Sequence, residues 1–375
     1  MTRDTDGVQH SPAPAPVADV AHPTRRRIDG VDLARGLAII GMITVHVAPP
    51  LAGDAGWYSL PYGQASTLFA LVAGIGIELS SRRGPTAEHR ARLVWRALWL
   101  LPVGIGLSLL GTPVAVILQY YALWFLLAGP VLRLGTRALA ALTATGLLVG
   151  PTVLVWAQVT RPEWFVSSGG NVGGRGAWLG EFGDVLLTGY YPTVSWVWVV
   201  YAGMLVGRLD LRSDRVALWL LGAGVTVAAV TYRLAALARD GADLGRWQSW
   251  LDTTGHSDTP PEMLATLGVA VAVMAICLLL GRYLRPPVAP GVALGKFALT
   301  VYVGHIIVYG FARSAFYNDT VAGGVTTTLW ISGVSAVVAM LWLTVLPRGP
   351  LEAFDRAGHE WIMLPIVRMF TDRPT

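Results

Sequence analysis

Long apolar runs separated by short connections that carry arginine recur along almost the whole chain. They fall near residues 31–49, 62–81, 93–111, 114–132, 138–158, 192–208, 216–236, 263–281, 291–311 and 324–346. Each approaches the roughly 20 apolar residues that a helix needs to cross a bilayer. Lipid offers the backbone no hydrogen-bond partners, so such runs must be helices. The pattern therefore predicts an all-α integral membrane protein, a bundle of about ten transmembrane helices over residues 28–346. Residues 1–27, rich in Pro, Ala and polar positions, read as a disordered tail. Arg25, Arg26 and Arg27 before the first run resemble the start of a signal peptide. However, Asp29, Asp32 and Arg35 interrupt that run and no small-residue cleavage site follows, so a retained first span is expected. The Gly111–Thr112–Pro113 connection predicts a tight hairpin, and residues 347–375 an interfacial amphipathic helix. Two connections, 159–191 and 237–262, are long enough to suggest a function.

Composition agrees with lipid as the solvent. Apolar residues make up 54% of the chain and charged residues only 14%, against roughly 25% charge in ordinary soluble domains. The mean hydropathy is +0.54. The 15 Trp suit bilayer interfaces. Counting arginines in alternate connections places 19 on one side and 5 on the other. The positive-inside rule makes the first side cytoplasmic, with both termini on it. The net charge of +5 is dispersed between apolar runs, which argues against a nucleic-acid partner. Cys277, the single cysteine, lies in an apolar run and reads as a small hydrophobe. No cluster has metal-ligand spacing.

Candidate chemistry concentrates in the first run. Asp32, Arg35 and His46 share it, and eleven residues bring Arg35 and His46 to within about 20° of one helix face, about 16 Å apart along the axis. Ionisable groups at such depth ordinarily face a bundle interior or a water-filled cavity. The expectation is that Arg35 and His46 open into one protein-lined hollow, with Asp32 pairing with Arg35 one turn away. His305 falls at a depth similar to His46, with Tyr302 as its neighbour. Arg92 and Arg96, four apart on the third run, could bind phosphates of a cytoplasmic ligand. Gln119 is a polar group inside the fourth run, and His256, with Asp258 and Glu262, lies in the long outer connection as a candidate for binding a polar acceptor. Glu78 ends the second run near basic residues and is expected to pair with one of them.

The stretches RIDGVDLARGLAIIGMITVH, VILQYYAL, GYYPTVSWVWVVYAGMLVGRL and TVYVGH resemble the transmembrane acyltransferase superfamily. That group includes the heparan-alpha-glucosaminide N-acetyltransferases, the acyltransferase-3 membrane proteins and an actinobacterial branch. The resemblance runs over most of residues 27–346. It implies a multi-pass protein of a bacterial plasma membrane. Its co-substrate would be acyl-CoA, most simply acetyl-CoA, with no tightly bound cofactor. The acyl group would pass to a hydroxyl or amine of an extracytoplasmic carbohydrate or lipid of the cell envelope. It also implies His46 and His305 as catalytic residues. Arg35, Arg92, Arg96 and Gln119 would then hold the co-substrate, and Asp32, Tyr302 and His256 the acceptor. Arg35 and His46 match the spacing of a basic residue and a histidine in the acyltransferase-3 branch. The histidine that the heparan enzymes carry in the following loop has no counterpart in residues 47–61. The alternatives are a proton-coupled transporter or flippase that uses the two histidines as a relay, and after it a non-catalytic membrane partner. The lack of an internal repeat and the Arg35–His46 spacing favour the enzyme, and a homo-oligomer is compatible with each.

Overall fold

The computed structural model describes residues 27–47, 60–82, 86–165, 180–316 and 318–371, and among them every regular element is helical. All ten apolar runs coincide with helices. In chain order these are α1 (Asp29–Val47), α2 (Gln64–Ser81), α3 (Thr86–Ser108), α4 (Leu118–Val131), α5 (Thr136–Thr160), α6 (Thr193–Gly207), α7 (Asp214–Gly241), α8 (Pro260–Tyr283), the pair α9 (Arg285–Lys296) and α10 (Ala298–Phe311), and α11 (Val321–Val345). Six of them, α1, α2, α5, α7, α8 and α11, are long and apolar enough to cross a membrane, or seven spans if α9 and α10 count as one. The chain is a multi-pass membrane protein, and among the described residues fewer than ten helices have the length and apolar character of a full span. The shortfall has physical causes. Helices α4 and α6 have only 14 and 15 residues, and α3 carries Arg90, Arg92 and Arg96 in its first half.

The ninth run is broken rather than straight. Its halves meet at Phe297 with a bend of 73°. A helix that starts anew exposes backbone N–H groups with no intrahelical acceptor. Here Glu352, from the short C-terminal helix α12 (Pro350–Gly358), supplies the acceptor. Its carboxylate accepts from the N–H groups of Leu299 (2.8 Å) and Thr300 (3.2 Å) and from the Thr300 hydroxyl (2.6 Å). A carboxylate at a helix N-terminus is also favoured by the helix dipole. The C-terminal segment is thus tied to the bundle through its acidic residues, while Phe354, Trp361, Ile362 and Met369 stay exposed along it, as an interfacial helix requires.

Helix α1 lies in the interior, packed against α2, α8 and α9. Its approach to α9 depends on the lack of a side chain at Gly295, where a Cβ would collide with the backbone of Asp32. Buried Ala34, Ile39, Leu71, Ile75 and Met274 fill the spaces between these elements. Helices α7 and α11 sit at the periphery and present Trp219, Leu329, Trp330 and Leu341 outward. Cys277 is buried.

Candidate active site

Close packing of α1 on α9 places Asp32 and Arg35 beside the α9–α10 break. The Asp32 carboxylate, almost fully buried, accepts from Arg35 Nη1 at 2.8 Å. It is also gripped by Arg27, whose Nε and Nη2 lie 2.9 and 2.8 Å from its two oxygens. One carboxylate therefore orients two guanidinium groups, and Arg35 reaches on to the Gly295 carbonyl at 3.5 Å. Both arginines border a cavity of about 670 Å³, within the roughly 300–1,000 Å³ typical of small-molecule sites.

The cavity walls are strongly cationic. Arg27, Arg35, Arg82, Arg92, Arg96, Arg212, Lys296, Arg348 and Arg356 line it, against Asp32, Asp210, Glu352 and Asp355. Arg96 is fixed by Asp355 of α12, whose Oδ2 accepts from Nε at 2.9 Å and Nη2 at 2.8 Å, while Trp99 Nε1 donates to Oδ1 at 3.1 Å. The same guanidinium lies over the Phe125 ring, 5.6 Å from its centroid, a favourable cation–π geometry. Burial pushes the Asp355 carboxyl up, but the Arg96 guanidinium outweighs it and holds the group below the usual carboxylate range. Elsewhere at this end Glu78 pairs with Arg208 (3.4 Å) and Arg82 (3.8 Å).

Away from the charged walls the lining turns aromatic and aliphatic, with Phe69, Leu118, Tyr121 and Phe125. From Phe69 a series of rings leads away from the cavity. Its ring stacks on Tyr302 at 6.2 Å, and Tyr302 meets His305 edge-on at 5.4 Å. His305 and His46 are nearly coplanar, 6° apart, with Nδ1 of His46 3.0 Å from Nε2 of His305. The Tyr302 hydroxyl accepts from the Ile117 N–H at 3.0 Å, which fixes the ring in place.

The structure thus brings together two of the groups that the sequence pointed to. Asp32, Arg35, Arg92 and Arg96 border one cavity, and His46, His305 and Tyr302 form a contiguous cluster. It corrects the expectation of a shared hollow, because Arg35 borders the cavity while neither histidine does. His46 lies eleven residues beyond Arg35 on the 19-residue α1, and Phe69, which lines the cavity, stacks on Tyr302 behind it. Gln119 does not reach the cavity either. It is buried at the contact of α4 with Gly104 of α3. His256 lies in an aromatic group instead, stacked 5.9 Å from Trp196 and edge-on to Tyr191 at 5.3 Å. Asp258 beside it accepts from Trp196 Nε1 at 2.7 Å. The residues that sequence reading missed are Phe69, Glu352 and Asp355. The C-terminal segment mixes four acids with four arginines, so nothing in its composition singled out the last two. Among the described residues no group of His, Cys, Asp or Glu could hold a metal ion.

Comparison with known families places this geometry in context. A family described as a protein of unknown function (DUF418) matches residues 203–361, which include α10 with His305 and α12 with Glu352 and Asp355. No protein of the curated set matches the chain. The catalytic family of heparan-alpha-glucosaminide N-acetyltransferase matches residues 27–232, which carry Arg35, His46, Phe69 and Arg96. With more than half of its length covered by that match, the chain belongs to the heparan-alpha-glucosaminide N-acetyltransferase catalytic family.

Proposed function

We propose that the chain is a membrane acyltransferase that takes an acyl group from acyl-CoA and passes it to a hydroxyl or amine of a carbohydrate or lipid on the far side of the membrane. The observation that carries the reading is the cationic cavity whose aromatic inner end adjoins the histidine pair through Phe69 and Tyr302. Guanidinium forks suit the phosphates of coenzyme A, and the arginine-rich end is the cytoplasmic one by the positive-inside rule. The apolar lining at Phe69, Tyr121 and Phe125 suits the uncharged arm that ends in the thioester.

The chemistry then needs a base. As the acceptor oxygen or nitrogen attacks the thioester carbonyl carbon, an imidazole removes its proton, and the carbon–sulfur bond breaks. The imidazolium returns that proton to the departing thiolate, leaving an ester or amide and a free thiol. Because Phe69 stands between cavity and histidines, its ring must move aside for the acyl carbon to reach the base. Acetyl is the simplest donor group. The test is binding by the full chain in lipid nanodiscs. Acetyl-CoA is expected to bind, and dephospho-CoA more weakly, with affinity falling as salt rises. Equal binding of pantetheine and acetyl-CoA would overturn the assignment of the cavity.

A further inference from the structure

The two histidines are not equivalent in their surroundings. His305 is buried, and its Nδ1 lies 3.1 Å from the Val301 carbonyl one turn earlier on α10. A carbonyl oxygen has no proton to give, so Nδ1 of His305 is the donor and carries the hydrogen. In a neutral imidazole the other nitrogen is then an acceptor. That nitrogen, Nε2, is the atom 3.0 Å from Nδ1 of His46, so His46 must donate through Nδ1. A second proton on His305 would bury a cation that, among the described residues, has no ion-pair partner, which is costly. The pair thus has one polarity, from His46 through His305 to the Val301 carbonyl. It leaves the unshared electron pair on Nε2 of His46.

Resting on the acyltransferase reading, we infer that His46 alone exchanges the proton with the acceptor, through Nε2, and that His305 is a positioning residue. His305 holds the His46 ring in one tautomer and one plane by accepting its Nδ1–H, as a third group orients the base in other nucleophilic sites. The acceptor here is another imidazole and not a carboxylate. When Nε2 of His46 takes up the acceptor's proton, the new charge is shared along the Nδ1–H bond with His305. The charge is lost, and the Nε2 lone pair restored, when Nε2 gives that proton to the departing thiolate. The rings, 6° apart, keep the Nδ1–H of His46 aimed along the in-plane lone pair on Nε2 of His305. Tyr302, held at the Ile117 N–H and edge-on to His305, keeps the positioning ring from swinging.

Two measurements on the full chain in nanodiscs test this. The first compares acetyl transfer by His46→Gln, His305→Ala and His305→Gln. Misplacement of a base by about 1 Å costs on the order of 100-fold in rate, so His305→Ala is expected to lose that much in kcat with the donor KM unchanged. His305→Gln, whose side-chain carbonyl can accept from His46 Nδ1, should regain most of it, and His46→Gln should stay inactive. A His305→Gln variant as inactive as His305→Ala would overturn the assignment. The second measurement does not depend on turnover. Diethyl pyrocarbonate acylates unprotonated imidazole nitrogens, and peptide mass spectrometry should find His46 modified well ahead of His305. Faster modification of His305 would overturn the polarity. If the wild-type chain transferred no acyl group while His46 was still the residue modified, the reading of function would fall and the polarity of the pair would stand.

Discussion

Replacing Asp355 by alanine tests how the C-terminal segment forms one wall of the cavity. The carboxylate accepts three hydrogen bonds, two from Arg96 and one from Trp99, at 2.8–3.1 Å. Its side chain is 7% exposed and that of Arg96 is 29% exposed. Breaking a fully buried pair by removing one partner costs about 3–5 kcal/mol. Arg96 borders a solvent-reachable cavity, which screens part of that cost, so Asp355→Ala should destabilise by about 2–3 kcal/mol. A double-mutant cycle with Arg96→Ala isolates the pair, and reversible unfolding in mixed detergent micelles reads it. The expected coupling is about 2 kcal/mol. A coupling under about 0.5 kcal/mol, the level of an exposed surface pair, would refute the reasoning. The pH dependence follows from the sign of the shift. Asp355 titrates below its ordinary range when folded. The stability it contributes is therefore full above the unfolded carboxyl value of about 3.9, and is lost as pH falls below that through the folded value. Asp355→Asn should flatten this acid limb.

Other expectations follow from the same geometry. Arg35→Gln keeps some polar contact but removes a charge that Asp32 aims at the cavity. It should weaken acyl-CoA binding by about 10- to 100-fold, the equivalent of roughly 1.5–3 kcal/mol for a charge-assisted contact, as measured by calorimetry. Phe69→Ala should open the way from cavity to histidines and raise acyl-CoA hydrolysis relative to transfer, whereas Phe69→Trp should slow both, as read by thiol release. Gly295→Ala should lower stability by about 3 kcal/mol or more, because backbone must shift where α1 and α9 meet. An unchanged unfolding transition in that variant would contradict the close packing.

Helix positions were legible because lipid leaves the backbone no other solution, and the ten apolar runs each appear as helix. What periodicity could not show was that the ninth run bends by 73° at Phe297. The residue carries no proline or glycine signal, and the bend depends on Glu352 arriving from about fifty residues later to satisfy the new N-terminus. Spacing on a single helix put Asp32 against Arg35 and marked His46. Pairing His46 with His305, 259 residues apart, rested on matching membrane depth alone. The cavity's boundary was hidden for the same reason. Phe69 looks like any apolar residue of a membrane helix, and only the tertiary packing makes it the partition between the arginines and the imidazoles. His256, polar and in a long outer connection, looked like a ligand for an acceptor, yet its ring is stacked on Trp196.

Incorporation of radiolabelled acetyl groups from acetyl-CoA into the envelope lipids and glycans of cells expressing the wild-type chain or His46→Ala tests the central claim most directly. Label above an empty-vector control is expected with the wild-type chain, falling by about 10²- to 10⁴-fold without the base. Incorporation by His46→Ala equal to wild type, or none above the control with either chain, would contradict it.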